Sequence, residues 1–228
     1  MNILITGTSS GLGYEIARQF SKLGHNVFGI SRRKSDLEIN QVECDFFDLK
    51  SIPGALNRLI EVKSLDHVIL NAGQLGELKK NEELSVEAFK EIFSVNVLAN
   101  KMIIDWLIIN KIQTKNIIGI STGAALKAYF GWSLYCTSKA AFKQLMSTYA
   151  HENPKIKFIS LAPGIIKTNM QNYINGLDAD EIPSIRKFKD LYPNMESAST
   201  VARRLIEWLP KLNTYESGEY FDLREYKP

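Results

Sequence analysis

Tyr135 and Lys139 stand four residues apart in Leu-Tyr-Cys-Thr-Ser-Lys. On a helix that spacing stacks both side chains on one face. An ammonium beside a phenol favours the phenolate, drawing a tyrosine pKa of ~10 toward neutrality. Such a pair can give and take a proton at working pH. A second group of residues, Thr6-Gly7-Thr8-Ser9-Ser10-Gly11-Leu12-Gly13, follows an apolar run. Its glycines let the backbone turn tightly and let a pyrophosphate approach a helix N-terminus, where free N–H groups and the dipole favour an anion. Gly7, Ser9, Ser10, Gly11, Leu12 and Gly13 are thus candidates to hold a dinucleotide, although the spacing is G-x-x-x-G-x-G rather than G-x-G-x-x-G. A third group closes the next apolar run as Gly29-Ile30-Ser31-Arg32-Arg33. The usual fingerprint has an acidic residue there to take the ribose 2′-hydroxyl. Ser31 occupies the place and Arg32 follows, and a guanidinium suits a 2′-phosphate. NADP(H) is therefore favoured over NAD(H); the alternative is that Arg32 and Arg33 are solvated surface cations.

Positioning these residues requires a particular order of elements. Strands are expected at Ile3–Thr6, Asn26–Ile30, Val42–Cys44, His67–Leu70, Asn116–Ile120, Ile156–Leu161 and Tyr220–Leu223, with amphipathic helices between them. The helices fall near 12–23, 51–62, 85–110, 131–151 and 197–209. That alternation predicts an α/β class: one domain over 1–228 with a doubly wound parallel sheet of about seven strands and helices on both faces. A Pro/Asn/Asp-rich stretch of weak periodicity at 165–195 reads as a substrate-loop insertion. Composition agrees: 228 residues, 45% hydrophobic and 23% charged, suit one soluble domain. A net charge of +3 without a basic stripe argues against nucleic acid as a partner. Two cysteines and three scattered histidines make neither a disulfide framework nor a metal site. The N-terminus has no basic leader, and no stretch reads as a membrane span, so no membrane partner and a cytoplasmic location are expected.

Together these residues resemble the short-chain dehydrogenase/reductase family. Thr6-Gly7-x-x-x-Gly11-x-Gly13 is similar to its cofactor motif, and Asn71-Ala72-Gly73 to its second signature. Asn96 in Phe-Ser-Val-Asn-Val fits its helix asparagine, Tyr135-x-x-x-Lys139 its catalytic pair, and Pro163-Gly164 with Thr168 the segment beside the nicotinamide. The order and spacing agree along nearly the whole chain. From Gly131 onward, Trp132-Ser133-Leu134-Tyr135-Cys136, Thr168-Asn169-Met170-Gln171 and Ser217-Gly218-Glu219-Tyr220-Phe221-Asp222 resemble the sepiapterin reductase branch and its diketone-reducing relatives.

The resemblance implies NADPH-dependent transfer of a hydride to a small-molecule ketone or 1,2-diketone. Tyr135 would be the general acid, and Lys139 would lower its pKa and hold the nicotinamide ribose. Asn96 would support a water leading from Lys139 to solvent. The family's catalytic serine lies thirteen residues before the tyrosine, which here is Thr122, with Ser121 just before it. Threonine keeps the hydroxyl, and because side chains alternate along a strand the two cannot both face the cofactor; Thr122 is the better placed. Asp45, Asn71, Ala72 and Gly73 would line the adenosine half, and Pro163, Gly164, Ile166 and Thr168 the nicotinamide half. Phe130, Trp132, Met170 and Tyr173 would form an apolar substrate slot, and Asp222 is a candidate substrate anchor. Cys136 has no base nearby in sequence and reads as packing. The helices near 85–110 and 131–151 would pair subunits in a homodimer or homotetramer, unless their apolar faces simply cover the sheet. Two other readings differ. A non-catalytic NADP-binding regulator on this fold usually loses part of the Tyr/Lys pair, and a sugar-nucleotide epimerase needs a larger C-terminal region.

Overall fold

Strands whose residues are apolar on both faces must be covered twice, and the helices here do so from above and below. The structure, a computed structural model, describes residues 1–226. The first half runs β1 (Asn2–Thr6), α1 (Gly11–Lys22), β2 (Asn26–Ser31), β3 (Asn40–Glu43), α2 (Ser51–Leu59) and β4 (Ser64–Leu70). Next come α3 (Val86–Phe93) and α4 (Ala99–Ile109), joined by a π-helical turn at Ser94–Leu98, then β5 (Gln113–Ile120) and α5 (Ser133–Glu152). The chain continues as β6 (Lys157–Ala162), β7 (Ile166–Lys167), α6 (Asn169–Gly176), α7 (Arg186–Leu191), β8 (Glu196–Ser197), α8 (Ala198–Trp208) and β9 (Tyr220–Asp222).

Seven strands form one parallel sheet in the order β3-β2-β1-β4-β5-β6-β9, as the alternation predicts. The order reverses direction between β1 and β4, which opens a crevice at their carboxyl ends. One face packs Leu4, Val68 and Ile117 against α2, α4 and α5, through Leu56, Ile103 and Phe142. The other packs Ile5, Ile69 and Ile118 against α1 and α8, through Ile16, Phe20, Val201 and Trp208. A third, smaller cluster of Leu75, Leu78, Trp132, Ile174, Ile182, Ile185 and Phe188 holds the 165–195 region.

Several boundaries differ from the sequence reading. The third strand ends at Glu43, because pairing with β2 runs from Asn40 to Glu43 and leaves Cys44 outside. The 165–195 stretch contains the helices α6 and α7 and the strand β7, which pairs with β8 just beyond it. Its apolar residues are spaced too widely for one regular period, since they pack on Trp132 and its neighbours rather than on the main sheet. The segment Val86–Ile109 is also long and apolar enough to cross a membrane, which the sequence reading missed. More than half of it is buried inside the protein, where Ile103, Ile104 and Leu107 cover the sheet. The apolar faces of α4 and α5 cover the sheet in the same way.

Two contacts fix the site elements. A β-carbon on Gly119 would stand 2.8 Å from the Phe142 ring, so the missing side chain lets α5 lie close on β5. A β-carbon on Gly13 would stand 2.3 Å from the Gly7 carbonyl oxygen and 2.4 Å from Asn71 Nδ2, so α1 starts hard against the first turn.

Candidate active site

The crevice is a cleft of about 650 Å³. One end is the glycine turn, where Gly7, Ser9, Ser10, Gly11 and Leu12 line the wall. Gly7 and Gly11 have φ of +76° and +61°, which side chains other than glycine rarely adopt. Gly13 does not line the cleft; its contribution is the close packing just described. The buried Thr6 hydroxyl accepts from the Asn71 and Ala72 amides at 2.9 and 2.8 Å. The Asn71 side chain donates to the Thr6 carbonyl at 3.0 Å. These bonds tie the ends of β1 and β4 together under the crevice. Ser31, Arg32 and Asp45 line the same end, whereas Arg33 is exposed and lies off the cleft. The Ser31 hydroxyl donates to the Arg33 carbonyl at 2.7 Å, which leaves Arg32 as the cation at this rim.

Tyr135 and Lys139 lie on α5 at the floor. Tyr135 is half-buried and lies beside the Thr122 hydroxyl. The Thr122 oxygen accepts from the Ala124 amide at 3.2 Å, which fixes it at the end of β5. Ser121 is buried instead, and its hydroxyl has no hydrogen-bond partner among the described residues. Lys139 is buried, donates to the Ile120 carbonyl at 2.9 Å and sits 5.9 Å from the Tyr135 ring centroid. The expected fall in the tyrosine pKa is not what this arrangement produces. Desolvation pushes the phenol up to about 12, and only the neighbouring Thr122 hydroxyl pulls it down. The ammonium points at the Ile120 carbonyl, and its own desolvation brings Lys139 down to about 8.

Asn96 sits in the π-helical turn, a distortion frequent at functional sites. Its side chain accepts from the Gln74 amide at 2.8 Å and donates to the Gln74 carbonyl at 2.8 Å and to Ser138 Oγ at 2.9 Å. It thereby holds the segment after Asn71-Ala72-Gly73 against α5. A β-carbon on Gly73 would stand 3.1 Å from Asn96 Oδ1 and 3.3 Å from Lys139 Nζ, so all three residues meet at one point.

After β6, Pro163, Gly164, Ile166, Thr168 and Met170 line the cleft, with Thr168 beside Gly11 of the glycine turn. Trp132 contributes an edge but is 3% exposed, stacked on Phe188 at 4.9 Å, with its indole N–H donated to Ser184. Phe130 and Tyr173, expected in the substrate slot, lie off the cleft and are 47% and 50% exposed. Tyr129 and Phe188 supply the rings there instead. Asp222 faces the cleft with its carboxylate already held by Arg224. Cys136 meets the Lys127 carbonyl at 3.6 Å, and burial pushes its thiol up, so it is a packing residue. Among the described residues no group of metal-ligating side chains gathers.

A glycine-cradled crevice at the switch point, floored by a tyrosine and a lysine, defines a nucleotide-dependent oxidoreductase. The chain belongs to the short chain dehydrogenase family, whose model matches residues 1–177. It is 28% identical over 241 residues to the benzil reductase ((S)-benzoin forming) of Bacillus subtilis, covering 98% of each chain. Sepiapterin reductase of Mus musculus is 28% identical over 252 residues, covering 96% of this chain and 95% of that one. The solved structure of a short chain dehydrogenase/reductase from Saccharomyces cerevisiae superposes with a TM-score of 0.88 at 23% identity, over 98% of this chain and 96% of that one. Members of the family bind nicotinamide cofactors. The residues here fit such a group: Gly7, Ser9, Ser10 and Gly11 line the cleft in a turn whose positive φ at Gly7 and Gly11 keeps side chains out, and the orphaned Ser121 hydroxyl lies at the cleft wall.

Proposed function

We propose that the chain is an NADPH-dependent carbonyl reductase acting on a ketone or 1,2-diketone, with Tyr135 as general acid. The observation that carries this is the half-buried Tyr135 phenol at the cleft floor, beside the Thr122 hydroxyl and one helical turn from a buried lysine. The similarity to proteins named as benzil and sepiapterin reductases supports a carbonyl substrate. The bound nicotinamide would supply the hydride.

The chain's own residues do the rest. The Thr122 oxygen accepts from Ala124, and its O–H, beside the Tyr135 phenol, would turn to donate to the substrate carbonyl and fix the exposed face. A phenol raised to about 12 stays protonated at neutral pH, so Tyr135 can give its proton to the oxygen as the carbonyl carbon receives the hydride. Lys139 keeps a positive charge below that oxygen, and its hydrogen bond to Ile120 fixes its height. Arg32 at the rim is placed to take a 2′-phosphate. Asn96 locks the turn before Gln74 so that the cleft floor keeps its shape.

The test follows NADPH oxidation with benzil, other 1,2-diketones and sepiapterin. Tyr135→Phe should lower turnover by about 10²–10⁴ while NADPH still binds. Full activity in that variant would overturn the mechanism.

A further inference from the structure

Beyond Pro163-Gly164, β9 ends at the cleft in Asp222, and Arg224 takes both carboxylate oxygens. Nε donates to Oδ1 at 2.9 Å and Nη2 to Oδ2 at 2.5 Å, while the Arg224 amide adds a bond to Oδ1 at 3.1 Å. The Asp222 side chain is 15% exposed and that of Arg224 58%. The arginine stem lies over Gly164: a β-carbon there would come within 3.2 Å of Arg224 Cδ, and Gly164 has a φ of +92°. The guanidinium is therefore pinned at both ends rather than free to swing like an ordinary surface arginine. It has five N–H groups, and two go to Asp222, which leaves three without a partner among the described residues on a side chain that lines the cleft wall. A free carboxylate accepts hydrogen bonds; here the carboxylate is occupied, and what remains on offer donates them. Tyr129, Trp132 and Phe188 line the same cleft with apolar rings.

Resting on the carbonyl-reductase reading, we propose that Arg224 determines specificity by donating to a second acceptor oxygen on the substrate. The site would then select 1,2-dicarbonyl compounds with apolar flanks over heterocycles that present an N–H edge, such as an amino-pterin. Both sides of the choice follow from one pair. The dicarbonyl finds a donor for its non-reacting oxygen, and the amino-pterin meets a donor with its own donors.

The experiment compares kcat/KM with NADPH for benzil, for deoxybenzoin, which has the same skeleton but one carbonyl, and for sepiapterin. Arg224→Met keeps the stem over Gly164 and removes every side-chain donor. It should cut the benzil-to-deoxybenzoin ratio by about tenfold, chiefly through the KM for benzil. It should also raise sepiapterin relative to benzil by about tenfold, because the Asp222 carboxylate is released to accept. A wild-type preference for sepiapterin over benzil would overturn the assignment. So would equal losses for benzil and deoxybenzoin in the variant, with the carbonyl-reductase reading left standing. Turnover of none of the three would overturn that reading itself. If Arg224→Met does not fold, Arg224→Lys, which keeps the charge but loses the fork, should lower the same ratio; an unchanged ratio overturns the proposal.

Discussion

Burial of Lys139 gives the site a proton-dependent edge. Desolvation lowers its pKa to about 8, so the ammonium is present below that pH and lost above it. Tyr135, pushed up to about 12, keeps its proton through the same range. The reductive kcat/KM should therefore fall as pH rises through about 8, on a limb belonging to the lysine. A profile level up to pH ~10 would contradict this assignment. The other residue-scale prediction concerns Arg32, the cation at the glycine end of the cleft. Arg32→Ala should weaken NADPH by about tenfold and hardly change NADH, measured as dissociation constants; equal effects on both would remove the 2′-phosphate contact. Much of this was legible from spacing, because Tyr135 and Lys139 share one helix and Gly7 to Gly13 one turn. The state of the phenol was not. A pKa depends on where the ammonium points, and Lys139 points at a carbonyl from another strand.

Elements meet at this site through absent side chains. Gly13 sits where any β-carbon would strike the Gly7 carbonyl, a backbone atom that cannot swing aside. Gly13→Ala should lower stability by about 1–3 kcal/mol, read by denaturant unfolding, and weaken NADPH because the turn must shift. Unchanged stability together with unchanged affinity would show that the contact relaxes freely. Helix and strand identities were readable for the same reason that the turn was: period and punctuation are local. The region from 165 to 195 was not, because its helices pack on Leu75, Leu78 and Trp132 rather than on the main sheet. Phe130 and Tyr173 share that origin, since aromatic type gave no sign of which rings turn outward.

Stability of the whole molecule should follow a histidine far from the chemistry. His67 is buried in β4, and desolvation lowers its pKa to about 4 from an ordinary 6.5. Between those values the unfolded chain binds a proton that the folded chain refuses. The stability this group contributes is thus fully present above about 6.5 and is lost as pH falls toward 4. The loss amounts to about 3 kcal/mol at most, measured as unfolding free energy against pH. His67→Gln should flatten that slope, and an unaltered slope would assign the acid loss to other groups. At this scale the alternation of strands and helices already implied a doubly wound parallel sheet, and the order of motifs implied an oxidoreductase. Those features are local or serial, and a chain carries its own periodicity and order. Contacts between distant segments are neither: the hold of Arg224 over Gly164, sixty positions apart, the outward turn of Phe130 and Tyr173, and the aim of Lys139 at Ile120. They were settled only when the sheet closed, because burial and hydrogen-bond partners depend on which segments become neighbours in space.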